Sequence, residues 1–237
     1  MKIKLMTFNT QHCLNFITQQ IDYDVMANAI KACDADIVAL NEIYDEGPSD
    51  IFENQTKILA QKAGYKYYYF ARAILFGGEN PYGNAILSRY PITSLETVSI
   101  PEPAIHQYDG YYEDRCLLKA TLEIGDKELS VYVIHVGLNP DEAQNAISEI
   151  LRKPTPEYLV VMGDFNLTPD DALIKKMGEH FFDAAQLFDK EKLTYPSDAP
   201  EMKIDYIFTS KNIKPLSADV PEIIASDHRP HIAEISL

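Results

Sequence analysis

Hydrophobic and polar positions change period several times along the chain. Residues 2–8 alternate Lys with apolar side chains, which predicts a strand. Residues 22–33 carry Val25, Met26, Ala29, Ile30 and Cys33 at helical spacing, the stripe of an amphipathic helix. Residues 36–40 are a short, mostly apolar run that predicts a buried strand. Residues 50–63 read as a helix that Gly64 is placed to end. Residues 65–70 then read as a strand of aromatics. Further strands are predicted at 84–88, 94–100, 116–123 and 128–135, the last two flanking Gly125-Asp126 as a hairpin. Residues 140–151 form a predicted helix with Pro140 at an early position and Asp141 and Glu142 in its first turn. A buried strand at 158–162, a short helix at 170–177 ending near Gly178, and strands at 204–209 and 231–236 complete the reading. Early strands alternate with helices, while the middle is rich in hairpins. That mixture favours an α/β sandwich of mixed sheets over a purely parallel sheet.

Composition narrows this picture. The 237 residues show no linker, no repeat and no low-complexity tract, so a single domain over 1–237 with a large core is expected. The net charge of −15 opposes non-specific binding to nucleic acid, because phosphate backbones are held largely by Lys and Arg. A local basic patch or a bound cation can reverse the field at one site. The start of the chain lacks the apolar core and small-residue cleavage site of a signal peptide. No run approaches the roughly 18 apolar residues of a membrane span. Cys13, Cys33 and Cys116 are odd in number, widely spaced and without C-x-x-C spacing. A reducing, cytoplasmic setting is expected, and the chain is taken to be a monomer.

The candidate chemistry collects at the ends of apolar strands, where open α/β sheets place their sites. Glu42 follows such a strand and suits a hard divalent cation, which prefers oxygen donors; alone it also reads as a cap or surface residue. Asn9 ends the first strand and can hold a metal ligand in place or offer its amide oxygen. Asp164 and Asn166 are two apart, so in an extended segment they face one side and can orient a water and a phosphoryl oxygen. An Asx-turn is the alternative there. His228, in Ser226-Asp227-His228-Arg229-Pro230, is the leading acid–base candidate. Asp227 is adjacent and in a strand would face away from it, so Asp227 is assigned to metal or water. Asp205 is chosen as the carboxylate that fixes the His228 imidazole. His135 ends another apolar run. Arg115 follows Glu113-Asp114; it either holds a phosphate through its planar fork or pairs with an acidic neighbour.

Seven segments in order carry a resemblance. They are Thr7-Phe8-Asn9, Val38-Ala39-Leu40-Asn41-Glu42, Gly83-Asn84-Ala85-Ile86-Leu87-Ser88-Arg89-Tyr90-Pro91-Ile92, Ile134-His135, Met162-Gly163-Asp164-Phe165-Asn166, Ile204-Asp205-Tyr206-Ile207 and the segment around His228. The chain resembles the endonuclease/exonuclease/phosphatase superfamily of metal-dependent phosphoesterases, in its compact bacterial form. The resemblance implies a four-layer sandwich of two mixed sheets flanked by helices. It implies Mg²⁺ or Mn²⁺ on Glu42, with Asn9 and Asp227 close by. It implies that Asp164 aligns or deprotonates the attacking water and that Asn166 contacts the phosphate. His228, supported by Asp205, would stabilise charge in the transition state. His135 would assist the leaving group, and Arg115 would lie beside the phosphate. Lys203 stands where an Arg is commoner in such relatives, and Cys13 where they often have Gly.

Hydrolysis of a small phosphoester is the leading expectation. A nuclease is the alternative, opposed by the charge and by the absence of a clear Lys/Arg cluster. A non-enzymatic binding module on the same fold is disfavoured, because Glu42, Asp164 and His228 are all present.

Overall fold

The computed structural model describes residues 1–48 and 53–237. It has twelve strands and four α-helices among the described residues. In chain order they are β1 (Lys2–Asn9), α1 (Tyr23–Cys33), β2 (Ile37–Tyr44), α2 (Gln55–Ala63), β3 (Tyr67–Phe76), β4 (Asn80–Ser88), β5 (Ile92–Ile100) and β6 (Arg115–Ile124). There follow β7 (Lys127–His135), α3 (Pro140–Ile150), β8 (Leu159–Asp164), α4 (Ala172–His180), β9 (Phe181–Asp183), β10 (Asp205–Ser210), β11 (Lys214–Asp219) and β12 (His231–Ser236). The predicted helix at 50–63 begins, among the described residues, at Gln55; its first positions fall partly on residues 49–52, outside the described set.

One sheet has the order β11-β12-β1-β2-β4-β3 and the other β5-β6-β7-β8-β10-β9. Each contains one parallel pair, β1 with β2 and β7 with β8, and is otherwise antiparallel. Parallel neighbours need a long crossover. Helix α1 lies in one crossover and α3 in the other. The two pairs end in register, Asn9 opposite Asn41 and His135 opposite Asp164.

Three apolar clusters define the layers. Ile3, Leu5, Ile37 and Ala39 of the first sheet meet Leu118, Val131, Val133 and Met162 of the second between the sheets. The opposite faces of β1 and β2, through Met6, Phe8, Val38 and Leu40, pack on Met26 and Ile30 of α1 and Leu59 of α2. Leu159, Val161 and Phe208 pack likewise on Ala146 and Ile147 of α3 and Met177 of α4. The result is the four-layer sandwich expected from the sequence. Helix α1 starts where the Asp22 carboxylate accepts from the N–H groups of Asp24 and Val25. All three cysteines are free and buried. No helix among the described residues is long and apolar enough to cross a membrane.

The differences from the sequence reading lie mainly at sheet edges. The aromatic strand extends to Phe76, and β4 begins at Asn80, giving a longer hairpin than expected. A bulge between Arg72 and Ile74 breaks the alternation that would have revealed it. Strand β11 carries Pro215 and polar residues on a sheet edge, which lowers its strand signal. Gly178 lies inside α4, which runs on to His180.

Gly163 is required where β8 passes β7. Its φ is 151°, and a Cβ there would stand 1.8 Å from the Ile134 carbonyl oxygen. Gly163→Ala is expected to cost about 3 kcal/mol or more, the upper end for strain and overpacking. A urea midpoint unchanged from the parent would contradict this.

Candidate functional site

The C-terminal ends of β2, β7 and β8 open into a cleft of about 420 Å³, completed by Asp227 and His228. The backbone is unusual there. Of the non-glycine residues with positive φ among the described residues, Glu42 and Asn166 line this cleft, and that conformation concentrates at functional sites.

Glu42 sits on a β-bulge. The pairing of β2 with β4 shifts between Leu40 and Ile43, and Glu42 has φ 57°. Such bulges re-aim a side chain; here Glu42 lines the cleft. Asn9 Nδ2 donates to Glu42 Oε1 at 2.9 Å and to Asp164 Oδ2 at 3.0 Å. Its Oδ1 accepts from the Gln11 N–H at 3.0 Å. Asn9 thus orients two carboxylates with its nitrogen, and its oxygen is occupied by backbone.

Asn41, not singled out in the sequence beyond its motif, ties the sheets together beneath the cleft. Its Nδ2 donates to Asn84 Oδ1 at 2.8 Å and to the Ile134 carbonyl at 2.9 Å, and its Oδ1 accepts from the Asp164 N–H at 3.0 Å. A polar side chain closing the apolar run of β2 was the available signal. Glu113, Tyr82 and Tyr195 also line the cleft; they come from loop and strand positions with no distinctive pattern.

Asp164 is 1% exposed. Its Oδ1 accepts from the Asn166 N–H at 2.9 Å, and its Oδ2 lies 3.6 Å from both His135 Nε2 and His228 Nε2. The segment is not extended as expected: Asn166 has φ 51° and closes an Asx-type turn. Its side chain still reaches the site, with Nδ2 donating to the Val136 carbonyl at 2.9 Å and lying 3.2 Å from His135 Nε2. Burial, reinforced by the charge of Asp205, pushes Asp164 above the usual carboxylate range, against the opposing effect of His228.

His228 Nδ1 lies 2.9 Å from Asp205 Oδ2, the contact expected from the sequence. Burial works against a charged imidazole, yet the charges of Asp205 and Asp164 outweigh it and push His228 up to about 10. The Tyr195 ring packs at 4.8 Å from the imidazole. Residues 225–228 form a bend rather than a strand, so Asp227 and His228 both line the cleft. This differs from the expectation that neighbours face apart. Asp227 Oδ1 accepts from Ser226 Oγ at 2.9 Å, and burial together with the Glu42 charge raises its pKa.

His135 is held well below the usual imidazole value, first by burial and then by Arg115 and His228. Arg115 is paired rather than open: its Nη1 donates to Glu113 Oε1 at 3.0 Å and lies 3.3 Å from His135 Nδ1.

The donor set separates into two parts. Glu42 and Asp227 line the cleft without an ion pair to Lys or Arg among the described residues, which suits a hard cation. Donor atoms of Asp164, Asp205 and His228 also lie within 4.8 Å of one another. There, however, His228 favours its protonated form, which has no lone pair for a metal. That trio suits a proton network. A larger cavity of about 560 Å³ shares Met202 with the cleft and has Lys203 in its lining; none of these groups line it.

Residues 6–228 match the profile of the Endonuclease/Exonuclease/phosphatase family. The chain is 24% identical over 257 residues to Escherichia coli strain K12 YbhP, described as uncharacterized, covering 99% of this chain and 96% of that protein. The endonuclease/exonuclease/phosphatase from Beutenbergia cavernae superposes with a TM-score of 0.82 at 20% identity, over 100% of this chain and 72% of the other. The mannosyl-6-phosphatase Bt3783 of Bacteroides thetaiotaomicron superposes with a TM-score of 0.77 at 16% identity, over 99% and 100%. At these identities the overlays speak to the fold, and the family follows from the match to residues 6–228. The chain belongs to the endonuclease/exonuclease/phosphatase family of hydrolytic phosphoesterases.

Proposed function

We propose that the protein is a divalent-metal-dependent hydrolase of phosphoester bonds in a small phosphorylated or phosphodiester substrate. The observation that carries this reading is the pairing in one cleft of two cation-free carboxylates, Glu42 and Asp227, with an Asp164 set between two imidazoles. Glu42 and Asp227 would hold Mg²⁺ or Mn²⁺, with Asn9 orienting Glu42. When bound, such an ion supplies positive charge to offset that developing on phosphoryl oxygens.

The remaining roles belong to the chain itself. Asp164 aligns the attacking water and takes its proton; a carboxylate made more basic by burial serves that step better than a free one. Asn166 Nδ2 and His135 Nε2, 3.2 Å apart, would donate to a phosphoryl or leaving-group oxygen. His228, held by Asp205, provides a charged donor on the other side of Asp164. The mannosyl-6-phosphatase neighbour supports a small monoester as one such substrate. Free, buried thiols support a reducing, cytoplasmic setting.

Hydrolysis of sugar phosphates, inositol phosphates, phospholipid headgroups, nucleic acids and p-nitrophenyl mono- and diesters, with Mg²⁺, Mn²⁺ or Ca²⁺ and with EDTA, tests the reading. Glu42→Gln is expected to weaken Mn²⁺ binding about tenfold or more. Unchanged affinity by calorimetry removes Glu42 from this role, and no turnover of any ester overturns the proposal.

Charge carries the expectation about nucleic acid. Among the described residues lining the cleft, Arg115 is the single Lys or Arg, and its Nη1 pairs with Glu113. Binding to random duplex DNA at physiological salt should be no tighter than about 10⁻⁴–10⁻⁶ M. Nanomolar binding, or plasmid nicking at low enzyme concentration, would put the nuclease first.

A further inference from the structure

Arg115 is expected from the family resemblance to lie beside a phosphate, and its surroundings give it a further task. It opens β6 and is 8% exposed. Nη1 donates to Glu113 Oε1 at 3.0 Å and faces His135 Nδ1 at 3.3 Å, while Nε is buried without a partner among the described residues. A guanidinium has donors only and keeps its proton. A ring nitrogen facing it at this distance must therefore present a lone pair. Neutral imidazole has one lone pair and one N–H, which leaves the proton of His135 on Nε2.

We propose that Arg115, anchored by Glu113, is a positioning residue that fixes His135 as the Nε2–H tautomer.

The neighbours of Nε2 give this tautomer its use. Asn166 Nδ2 lies 3.2 Å away. Its amide cannot be turned over, because Oδ1 would then meet the Val136 carbonyl oxygen, which Nδ2 now approaches at 2.9 Å. Asp164 Oδ2, at 3.6 Å from His135 Nε2, is beyond a hydrogen bond. Asn166 Nδ2 therefore also approaches the ring as a donor, but neutral imidazole has a single lone pair, and the charged guanidinium takes it in preference to the neutral amide. Nε2–H and the amide are then left as a donor pair for an incoming oxygen. Burial and the Arg115 charge keep the ring neutral, so the pair is preformed. The catalytic consequence rests on the phosphoester-hydrolase reading, whereas the tautomer itself does not.

The test is ¹⁵N NMR of histidine-labelled full-length protein near neutral pH, with the His135 resonances assigned by their loss in His135→Gln. The parent should show a pyridine-like Nδ1 and a pyrrole-like Nε2. Arg115→Met should give mixed tautomers, and kcat on a turned-over ester should fall about tenfold or more with KM nearly unchanged. Arg115→Lys should restore the Nε2–H form, since an ammonium is also a donor without a lone pair. Glu113→Gln should loosen the preference in the same direction as Arg115→Met. A protonated Nδ1 in the parent overturns the proposal. So does an unaltered tautomer in Arg115→Met with KM raised and kcat retained, the pattern of a phosphate-binding arginine. If Arg115→Met does not fold, the parent, Arg115→Lys and Glu113→Gln spectra decide. A parent that shows the tautomer but turns over no ester supports the assignment and overturns the hydrolase reading instead.

Discussion

Asp164→Asn is expected to lower kcat by about 10²–10⁴-fold, the range for removing a positioned general base. Asp164 sits at the end of β8, where Gly163 allows the strand to close on β7 and Asn41 holds the Asp164 N–H. One carboxylate oxygen takes the Asn166 N–H, and the other takes the Asn9 amide between two imidazoles. Burial makes this carboxylate more basic than a free one. Asn conserves the volume and an acceptor oxygen but removes the basic charge. Mn²⁺ affinity should change far less than turnover, because Glu42 and Asp227 supply the carboxylates assigned to the ion. A kcat within about threefold of the parent would exclude Asp164 as the base. Loss of metal affinity matching that of Glu42→Gln would instead move Asp164 into the metal site.

The parts legible in the sequence share one property: they combine strong burial with a local pattern. Strands β2 and β8 announce themselves as apolar runs, and β1 by Lys alternating with apolar residues that continues into an apolar stretch, because helices cover one face and the second sheet the other. Polar residues at their ends, such as Asn9 and Asp164, then stand out. Edge strands are harder to read, since β11 has one exposed side and carries Pro215. Side-chain direction was legible only where the backbone is regular. The rule that alternate residues share a face failed at Asn166, with its positive φ, and the rule that neighbours diverge failed at Asp227 and His228, which lie on a bend. The bulge at Glu42 and the cross-sheet bonds of Asn41 depend on contacts between distant segments. Arg115 shows the same limit, because its choice between a phosphate and a neighbouring acid turns on where Glu113 and His135 meet in space.

His228→Ala is expected to lower kcat by about 10²–10³-fold, the scale of losing one donor to developing charge. Asp205→Asn should act in the same direction, because Asp205 Oδ2 holds His228 Nδ1 and turns Nε2 toward Asp164. The double variant should fall well short of the product of the two losses, as for residues acting as a unit. Multiplicative losses would show that Asp205 works independently of the imidazole. The same pair makes a stability prediction for the metal-free protein. Folded His228 keeps its proton up to about pH 10, whereas the unfolded chain releases it near about 6.5. Between those values folded His228 holds a proton that the unfolded chain has lost, so its own contribution to stability falls as pH rises. The contribution is complete below the lower value and lost above the upper one. Lys203, lowered to about 8 by burial, works the other way in the upper part of this window, so the difference isolates His228: urea midpoints should fall more steeply with pH in the parent than in His228→Ala. An equal slope in both would mean that His228 is not held in its charged form, and the role of Asp205 in favouring it would fall with it.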